Sequence, residues 1–412
     1  MHINPARLKA HIDTINAMSK DESGGYTRLA FSDKDRQARE MVKAMMEKAG
    51  LSVQQDFAGN ILADLLNGHG KTDFIAVGSH IDTVQNGGPF DGLLGSMAAV
   101  EVLQTVAERN LSLKHPLRAI IFSDEEGARF GSGLIGSKAI AGSSLDAPLD
   151  FYTDKEGNAL PDVLKSFDID PARILEAKAK AGTYRVFLEL HIEQSVVLEQ
   201  NRKQIGIVTG IKGPHWIKGS FVGESNHAGG TPMNMRHDAL VAAANFAVET
   251  ERIASSIGEQ FVATIGFFEV SPGGINTIPK EVNYSLDIRD LNMARRSMGA
   301  ERILQAAEES AKKFGVDHRS RCIKCTPSVE MNPDVMQVIE GICKKENLTY
   351  MYLPSGAFHD ALSMTDICKV GMIFVPSVKG ISHSPKEDTR WEDVYAGVEV
   401  LYQTVVELAT KD

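Results

Sequence analysis

Phe74-Ile75-Ala76-Val77-Gly78-Ser79-His80-Ile81-Asp82 and Leu117-Arg118-Ala119-Ile120-Ile121-Phe122-Ser123-Asp124-Glu125-Glu126 share one design, an apolar run that gives way to residues able to bind a metal. Short β-branched or apolar runs at 74–77, 117–122 and 186–190 alternate with helical stretches such as 94–109. Strands separated by helices predict an α/β domain with a largely parallel sheet. In such a sheet ligands gather outside the carboxyl ends of the strands, so the residues after each run decide the chemistry. The third run leads into His191-Ile192-Glu193-Gln194, and a fourth, at 372–375, is followed within one loop by Gly380-Ile381-Ser382-His383-Ser384-Pro385. Between the first two lies Phe90-Asp91-Gly92, an acidic residue in a glycine-flanked turn at the start of a helix.

Further out, the middle of the chain changes pattern. A strand at 216–222, a long amphipathic helix at 236–257, strands at 261–270 and 282–289, a helix at 293–314 and a short strand near Arg321 spell β-α-β-β-α-β, the ferredoxin-like arrangement. The α/β pattern resumes near Pro327, with a helix at 335–346 before the strand at 372–375. The expected fold class is therefore α/β: a discontinuous catalytic domain over 1–212 and 327–412 with a central mixed, largely parallel sheet, interrupted by an inserted ferredoxin-like α+β domain over 213–326. A length of 412 residues suits two or three domains at roughly 150 residues each. Near the start, Met41, Val42, Met45 and Met46 share one face of a helix at 35–50, which reads as core packing.

Composition narrows the class of partner. With 43% hydrophobic and 24% charged residues the chain is ordinary globular protein, not a disordered or collagen-like one. A formal net charge of -10 opposes binding to phosphate backbones, so a small molecule is expected and no nucleic acid. No apolar run approaches the roughly 20 residues that span a bilayer, and the first twenty residues lack a signal-peptide core, so no membrane partner and a cytoplasmic location are expected. Four unevenly placed cysteines form no disulfide framework; Cys322 and Cys325 have metal-ligand spacing, but without a second pair the spacing reads as incidental.

His80, Asp91, Glu126, His191 and His383 gather at one sheet edge as an N/O ligand set suited to zinc, manganese, cobalt or nickel. Five ligands exceed one closed tetrahedral site. Two divalent ions per subunit, each with a terminal histidine and sharing Asp91, use all five and at roughly 3.5–4 Å apart would acidify a shared water. Glu125, beside Glu126, is then the carboxylate left to move the water's proton to a leaving group. Asp82 is placed to orient the His80 imidazole from behind. Taken singly these signals are common, since a lone histidine after a strand is usually a hydrogen-bonded residue and an acidic run usually a solvated turn. Four strand ends that each supply a metal-type residue, with no comparable clustering at the opposite edge, point to a site.

At these residues the chain resembles the dinuclear metallo-amidohydrolases of the aminoacylase and carboxypeptidase G2-like peptidase family, in the branch of N-carbamoyl-L-amino-acid hydrolases, allantoate amidohydrolases and β-ureidopropionases. The resemblance runs through nearly the whole chain and is carried by Gly24-Gly25-Tyr26-Thr27-Arg28-Leu29, Gly78-Ser79-His80-Ile81-Asp82-Thr83-Val84, Phe90-Asp91-Gly92, Asp124-Glu125-Glu126-Gly127-Ala128-Arg129-Phe130, Glu189-Leu190-His191-Ile192-Glu193-Gln194 and Ile381-Ser382-His383-Ser384-Pro385. It implies the same five ligands with Asp91 as bridge, Glu125 as general base, Asp82 behind His80, a homodimer held through the ferredoxin-like domain, and a lid that closes over substrate. It also implies that His227, in Glu224-Ser225-Asn226-His227-Ala228-Gly229, reaches the active site of the other subunit and helps bind an oxyanion. Asn276 and Arg289 would hold a substrate carboxylate, for which a bidentate guanidinium is well suited.

Gln194 fits the carbamoylase branch and is placed to hydrogen-bond a ureido group, and Ser355-Gly356-Ala357-Phe358-His359-Asp360 resembles a segment that contacts substrate, with Gly356 and His359 as its candidate residues. Phe358 and Ser195 depart from the small residue and glycine common in relatives, which bears on substrate fit and not on the metal ligands. The implied activity is hydrolysis of the ureido C–N bond of an N-carbamoyl-L-amino acid, a small substrate carrying a carboxylate. Allantoate amidohydrolase is the alternative: Glu224-Ser225-Asn226-His227 leans toward it, whereas Gly213-Pro214-His215-Trp216, with candidate substrate residue His215, leans toward carbamoylase. A dipeptidase or aminoacylase is disfavoured by Gln194 and the run from Asp124 to Phe130, and a non-catalytic binding protein would have lost a ligand or the base, none of which is missing.

Overall fold

In the computed structural model, residues 1–66, 70–145 and 147–411 are described. Their strands are β1 (Ser52–Gln55), β2 (Ile61–Leu65), β3 (Phe74–His80), β4 (Leu117–Phe122), β5 (Tyr184–Ile192), β6 (Ile205–Ile211), β7 (Pro214–Val222), β8 (Val262–Ser271), β9 (Glu281–Arg289), β10 (Asp317–Cys325), β11 (Val329–Glu330), β12 (Tyr350–Ser355) and β13 (Lys369–Val375). The chain divides into two compact units, Met1–Thr209 with Met331–Asp412, and Gly210–Glu330.

The first unit is built on a sheet ordered β1-β2-β4-β3-β5-β13-β6, with β12 also paired to β6. Its centre, β4-β3-β5-β13, is parallel throughout. These four strands are buried along almost their whole length, which is why they read as continuous apolar runs without alternation. Helix Leu93–Glu108 is apolar around most of its circumference and packs on β3, β4 and β5, while helix Trp391–Thr410 packs on β13 and on helix Pro333–Lys345. A charged pair joins β4 to its neighbour β2. Arg118 on β4 donates from Nε and Nη2 to the two carboxylate oxygens of Asp64 on β2, at 2.6 and 2.8 Å, with its guanidinium 4.0 Å from the centre of the Phe74 ring.

Two features add detail to the sequence expectation. The sheet is mixed as expected, its parallel character carried by the four central strands while β1, β2 and β6 join antiparallel. Those flanking strands are hard to see: β1 is short, polar and largely exposed, and β6 is interrupted by Gly206 and Gly210. Second, β3 extends through Gly78 and Ser79 to His80 and β5 through His191 to Ile192, so both histidines are part of the ladder and not of a following loop.

The second unit orders its strands β10-β7-β9-β8, all antiparallel, with helices Ala239–Ile257 and Met293–Phe314 as the two crossovers. This is the ferredoxin-like arrangement. Val282, Tyr284, Leu286 and Ile288 alternate with less buried residues along β9 and join Ile217, Phe221, Phe246 and Ile303 in a separate core. The first helix starts at Ala239 and not at 236, because the Asp238 side chain accepts from Leu240 N and Val241 N and caps it there. Cys322 and Cys325 are exposed thiols on β10. No helix among the described residues is long and apolar enough to cross a membrane.

Candidate active site

The carboxyl ends of β3, β4, β5 and β13 lie at one edge of the sheet, and each delivers part of a polar cluster. His80 ends β3 in register with Phe122, the last residue of β4, so Glu125 and Glu126 begin three residues beyond the same level. His191 on β5 is paired with Phe374 on β13, whose following loop carries His383. Asp91 is presented by a tight reversal: Leu93 N donates to Asp91 O at 2.6 Å across Gly92, which has φ 63° and ψ −47°. That is a γ-turn of positive φ, a conformation suited to glycine. A Cβ at Gly92 would also fall 2.2 Å from His80 Cε1, so the turn needs a bare backbone twice over.

Asp91 stands between two groups of donors. Its Oδ1 faces His80 Nε2 at 3.7 Å and His191 Nε2 at 3.3 Å; its Oδ2 faces His383 Nε2 at 3.3 Å, and His383 Nε2 is in turn 3.6 Å from Glu126 Oε2. Within each of the sets His80, Asp91, His191 and Asp91, Glu126, His383, the ligand-type atoms lie within 4.8 Å of one another. Glu125 Oε2 is 3.7 Å from His80 Nε2. Asp82 ties the pieces together: its carboxylate accepts from Glu125 N at 3.3 Å and Glu126 N at 3.1 Å, while its main-chain oxygen is 3.0 Å from His80 Nδ1. The contact that orients His80 is thus chiefly the Asp82 carbonyl, the carboxylate standing farther off at 3.7 Å. The Ile192 carbonyl, 2.9 Å from His191 Nδ1, fixes that ring in the same way, leaving Nε2 of both histidines turned toward Asp91.

The electrostatics fit a divalent cation. Burial, then the neighbouring carboxylates, push Glu125 and Glu126 well above the ordinary glutamate range. Burial also works to raise Asp91, but His191, His383 and His80 outweigh it and hold that carboxyl well below its usual value. Burial lowers His80 to about 4, whereas His191, also disfavoured by burial, is carried up to about 9 by Asp91 and Glu189. Glu126 Oε1 and Gln194 Oε1 are buried with no hydrogen-bond partner among the described residues. Carboxylates and imidazoles converging at non-bonded distances, buried around His80, Asp91 and His191 and opening to solvent at His383, are the donor set that zinc, manganese, cobalt and nickel favour, so the residues fit divalent metal.

The other candidate residues fall in two places. In the first unit, Gln194 donates from Nε2 to Asp91 Oδ2 at 2.7 Å and so sits on the cluster itself. His359 is fully buried, its ring 4.5 Å from that of His191 and its Nε2 2.9 Å from Ser355 Oγ, and Gly356 lies in the exposed bend just before it. In the second unit, His227 and Asn276 come together, with Ala228 N donating to Asn276 O at 2.9 Å and His227 bridged to Thr277. His227 is exposed, its Nδ1 accepting from Gly229 N and Gly230 N. Arg289 lies elsewhere in that unit, paired with Asp287 through Nε at 3.0 Å and Nη2 at 2.8 Å, and His215 is on β7 opposite Ile288.

Sequence reading passed over several residues that the fold brings to the cluster. Glu189 accepts from Ser79 Oγ and Ala361 N, both at 2.8 Å, and links β3, β5 and helix Asp360–Met364 behind the histidines. A glutamate inside an apolar strand was its signal. Arg28, fully buried, donates from Nε to Ile81 O at 2.5 Å and props the segment between His80 and Asp82. Ser382 and Glu387, in the loop of His383, reach Asp91 and its turn.

Residues 76–407 match peptidase family M20/M25/M40. Over 407 residues, 99% of each chain, this chain is 42% identical to an N-carbamoyl-L-amino acid amidohydrolase of Geobacillus stearothermophilus. It is 30% identical to the allantoate amidohydrolase of Escherichia coli K12 over 96% of each chain. Among solved structures, an amidase of the hydantoinase/carbamoylase family from Burkholderia multivorans superposes with a TM-score of 0.93 at 28% identity, covering 99% of this chain and 98% of that one.

Proposed function

The chain belongs to peptidase family M20/M25/M40, and from that premise we propose that it hydrolyses the ureido C–N bond of N-carbamoyl-L-amino acids, releasing the amino acid, carbon dioxide and ammonia. The observation that carries this reading is the Asp91 carboxylate, one oxygen toward His80 and His191 and the other toward His383, which neighbours Glu126. Two divalent ions, zinc, manganese, cobalt or nickel, would be held by His80, His191 and Asp91 and by His383, Glu126 and Asp91. When bound, such ions polarise a carbonyl and lower the pKa of water, which a ureido carbon needs because two nitrogens donate into it. Full-length likeness to a carbamoylase supports the substrate class.

The protein's own groups do the rest. Glu125, buried and close to His80 Nε2, takes a proton from the attacking water and delivers it to the departing nitrogen. Asp82 holds Glu125 and Glu126 through their backbone N–H groups and so fixes the carboxylates relative to His80. Gln194 exchanges its contact with Asp91 for the ureido group. His227 donates to the developing oxyanion, Asn276 and Arg289 hold the substrate carboxylate, and His215, Gly356 and His359 contact the rest of the substrate. For Arg289 this means giving up part of its pairing with Asp287. In this reading the enzyme is a cytoplasmic homodimer organised as a catalytic domain, 1–212 and 327–412, and a lid and dimerisation domain, 213–326, with no nucleic-acid or membrane partner.

A second reading, hydrolysis of allantoate, is favoured by Glu224-Ser225-Asn226-His227 and by the likeness to the Escherichia coli enzyme. The experiment that separates them is ammonia release by manganese-reconstituted protein on N-carbamoyl-L-methionine and on allantoate, with a chelated control. Faster turnover of the carbamoyl amino acid is expected. Preference for allantoate selects the second reading, and activity that survives chelation overturns both.

A further inference from the structure

Asp91 and His383 arrive from strands that do not touch. Asp91 follows β3 and His383 follows β13, and β5 lies between them in the sheet, so no ladder hydrogen bond sets the distance from one to the other. Glu387 spans that gap. Its Oε1 accepts from Phe90 N at 2.9 Å and Asp91 N at 3.1 Å, the two amides of the Asp91 turn. Its Oε2 is 2.9 Å from Ser382 Oγ, and Ser382 Oγ is also 2.9 Å from Asp91 Oδ2. Ser382 is the immediate neighbour of His383, so one carboxylate grips the backbone of the first loop and, through a hydroxyl, the second loop and the Asp91 side chain.

The grip is built into both loops. Glu387 is 4% exposed although it lies in a loop rich in polar residues. The backbone opposite it is bare: a Cβ on Gly88 would fall 2.1 Å from Glu387 Cδ, so only glycine leaves room for the carboxylate to reach the turn. The His383 loop is closed at its base by Val378 N on Asp388 O at 2.8 Å and by Thr389 Oγ1 on Pro376 O at 2.7 Å, which fixes where Glu387 starts from.

We propose that Glu387 is a positioning residue that sets the separation of the Asp91 turn from the His383 loop and thereby determines occupancy of the Asp91, Glu126, His383 group. The inference rests on the reading that this group holds a second divalent ion. It assigns the work to hydrogen-bond reach and not to charge; the Asp91 turn keeps its own bonds without Glu387, Leu93 N on Asp91 O at 2.6 Å and Leu94 N on Phe90 O at 2.9 Å, so the His80, Asp91, His191 group is the one retained.

The test is equilibrium dialysis of the full chain against manganese, with bound metal counted by mass spectrometry and folding followed by thermal melting. Wild type is expected to bind two equivalents. Glu387→Ala should keep one and weaken the other about 10- to 100-fold, the usual cost of losing a group that orients a ligand. Glu387→Asp keeps the charge but shortens the reach, and should lose the same ion; it carries the test if the alanine variant does not fold. Glu387→Gln should restore both ions, because its carbonyl accepts from Phe90 N and Asp91 N while its amide faces Ser382 Oγ. Two equivalents at wild-type affinity in the alanine or aspartate variant overturn the proposal while leaving the metal reading intact, and so does loss of the second ion in the glutamine variant. A wild-type protein that binds fewer than two ions overturns the proposal together with the two-ion reading beneath it.

Discussion

Replacing Gly92 by alanine tests whether the turn beneath Asp91 governs the site. The γ-turn at φ 63°, ψ −47° costs a residue with a side chain about 1–3 kcal/mol of backbone strain. The new methyl adds a collision, because it would lie 2.2 Å from His80 Cε1 and 2.4 Å from both ring nitrogens. Carbon contacts relax only near about 3.5 Å, so ring and turn must part by roughly 1 Å or more. His80 has little freedom to yield: it is 1% exposed, its Nδ1 is held at 3.0 Å by Asp82 O, and Ser96 Oγ donates to its carbonyl at 2.6 Å. Displacement of a reacting group by about 1 Å costs on the order of a hundredfold. Taking the same factor for ligand geometry, manganese affinity should fall about 100-fold, equivalent to about 2.8 kcal/mol, and kcat/KM by at least as much. Gly131→Ala is the matched control: its φ is 76° and no atom lies within 4 Å of an added Cβ. It should lose only about 1–2 kcal/mol of stability and keep its metal. Isothermal titration with manganese and urea denaturation of both variants read the two quantities separately. Wild-type metal affinity and turnover in the Gly92 variant would show that the turn does not set the ligand geometry.

Three further outcomes follow from the same contacts. Glu125→Gln preserves size and removes one of several crowded carboxyls, so metal content and melting temperature should hold while kcat falls about 10²- to 10⁴-fold; near-normal kcat would remove Glu125 from the mechanism. Asp64→Ala strands the Arg118 guanidinium in a mostly buried position and should cost about 3 kcal/mol in urea denaturation, a negligible change being the refuting result. Burial first, and Asp91 among other charges, push Glu189 and Glu387 up to about 7, above an unfolded glutamate near about 4.3. Their protonated forms favour the fold, so that stability is present below the unfolded value and is lost as pH rises through the folded one. The melting temperature of chelated Glu387→Gln protein should therefore gain on that of chelated wild type from pH 5 to pH 8, and a difference that stays constant refutes the assignment.

The parts of this structure that could be read from sequence are those where a local pattern and a tertiary role coincide. The strands β3, β4, β5 and β13 are continuous apolar runs because successive residues are buried on both faces, and the metal-type residues stand at their carboxyl ends because the parallel sheet puts them there. Asp91 was visible through Gly92, since a glycine beside an acid at a helix start signals an unusual turn. The alternation in β9 and the two long helices likewise disclosed the second unit. What escaped lacks a local signature. Four-residue β1 has no room for periodicity, and the glycines of β6 mask it. Glu387 and Ser382 read as loop polarity, because their partners lie almost three hundred residues earlier and only the folded chain pairs them. The pairing of Arg289 with Asp287 was legible in principle, since residues two apart on a strand share a face.

The chain leaves the large sheet and returns to it at adjacent points: Gly210 pairs with Glu330, Ile211 with Val329, and Met331 N donates to Thr209 O at 3.0 Å. This bears on the order of folding. The parallel pairing of β5 with β13, which brings His383 toward His191, joins segments separated by the whole second unit. Closing so long a loop as free chain is entropically costly and slow. A second unit that has already folded holds Thr209 and Met331 side by side and shortens that loop about threefold, which lowers the closure cost by on the order of 1 kcal/mol by the logarithmic loop law. The insertion is then a staple for the domain it interrupts, and β13 meets β5 as if it were the next element in a much shorter chain.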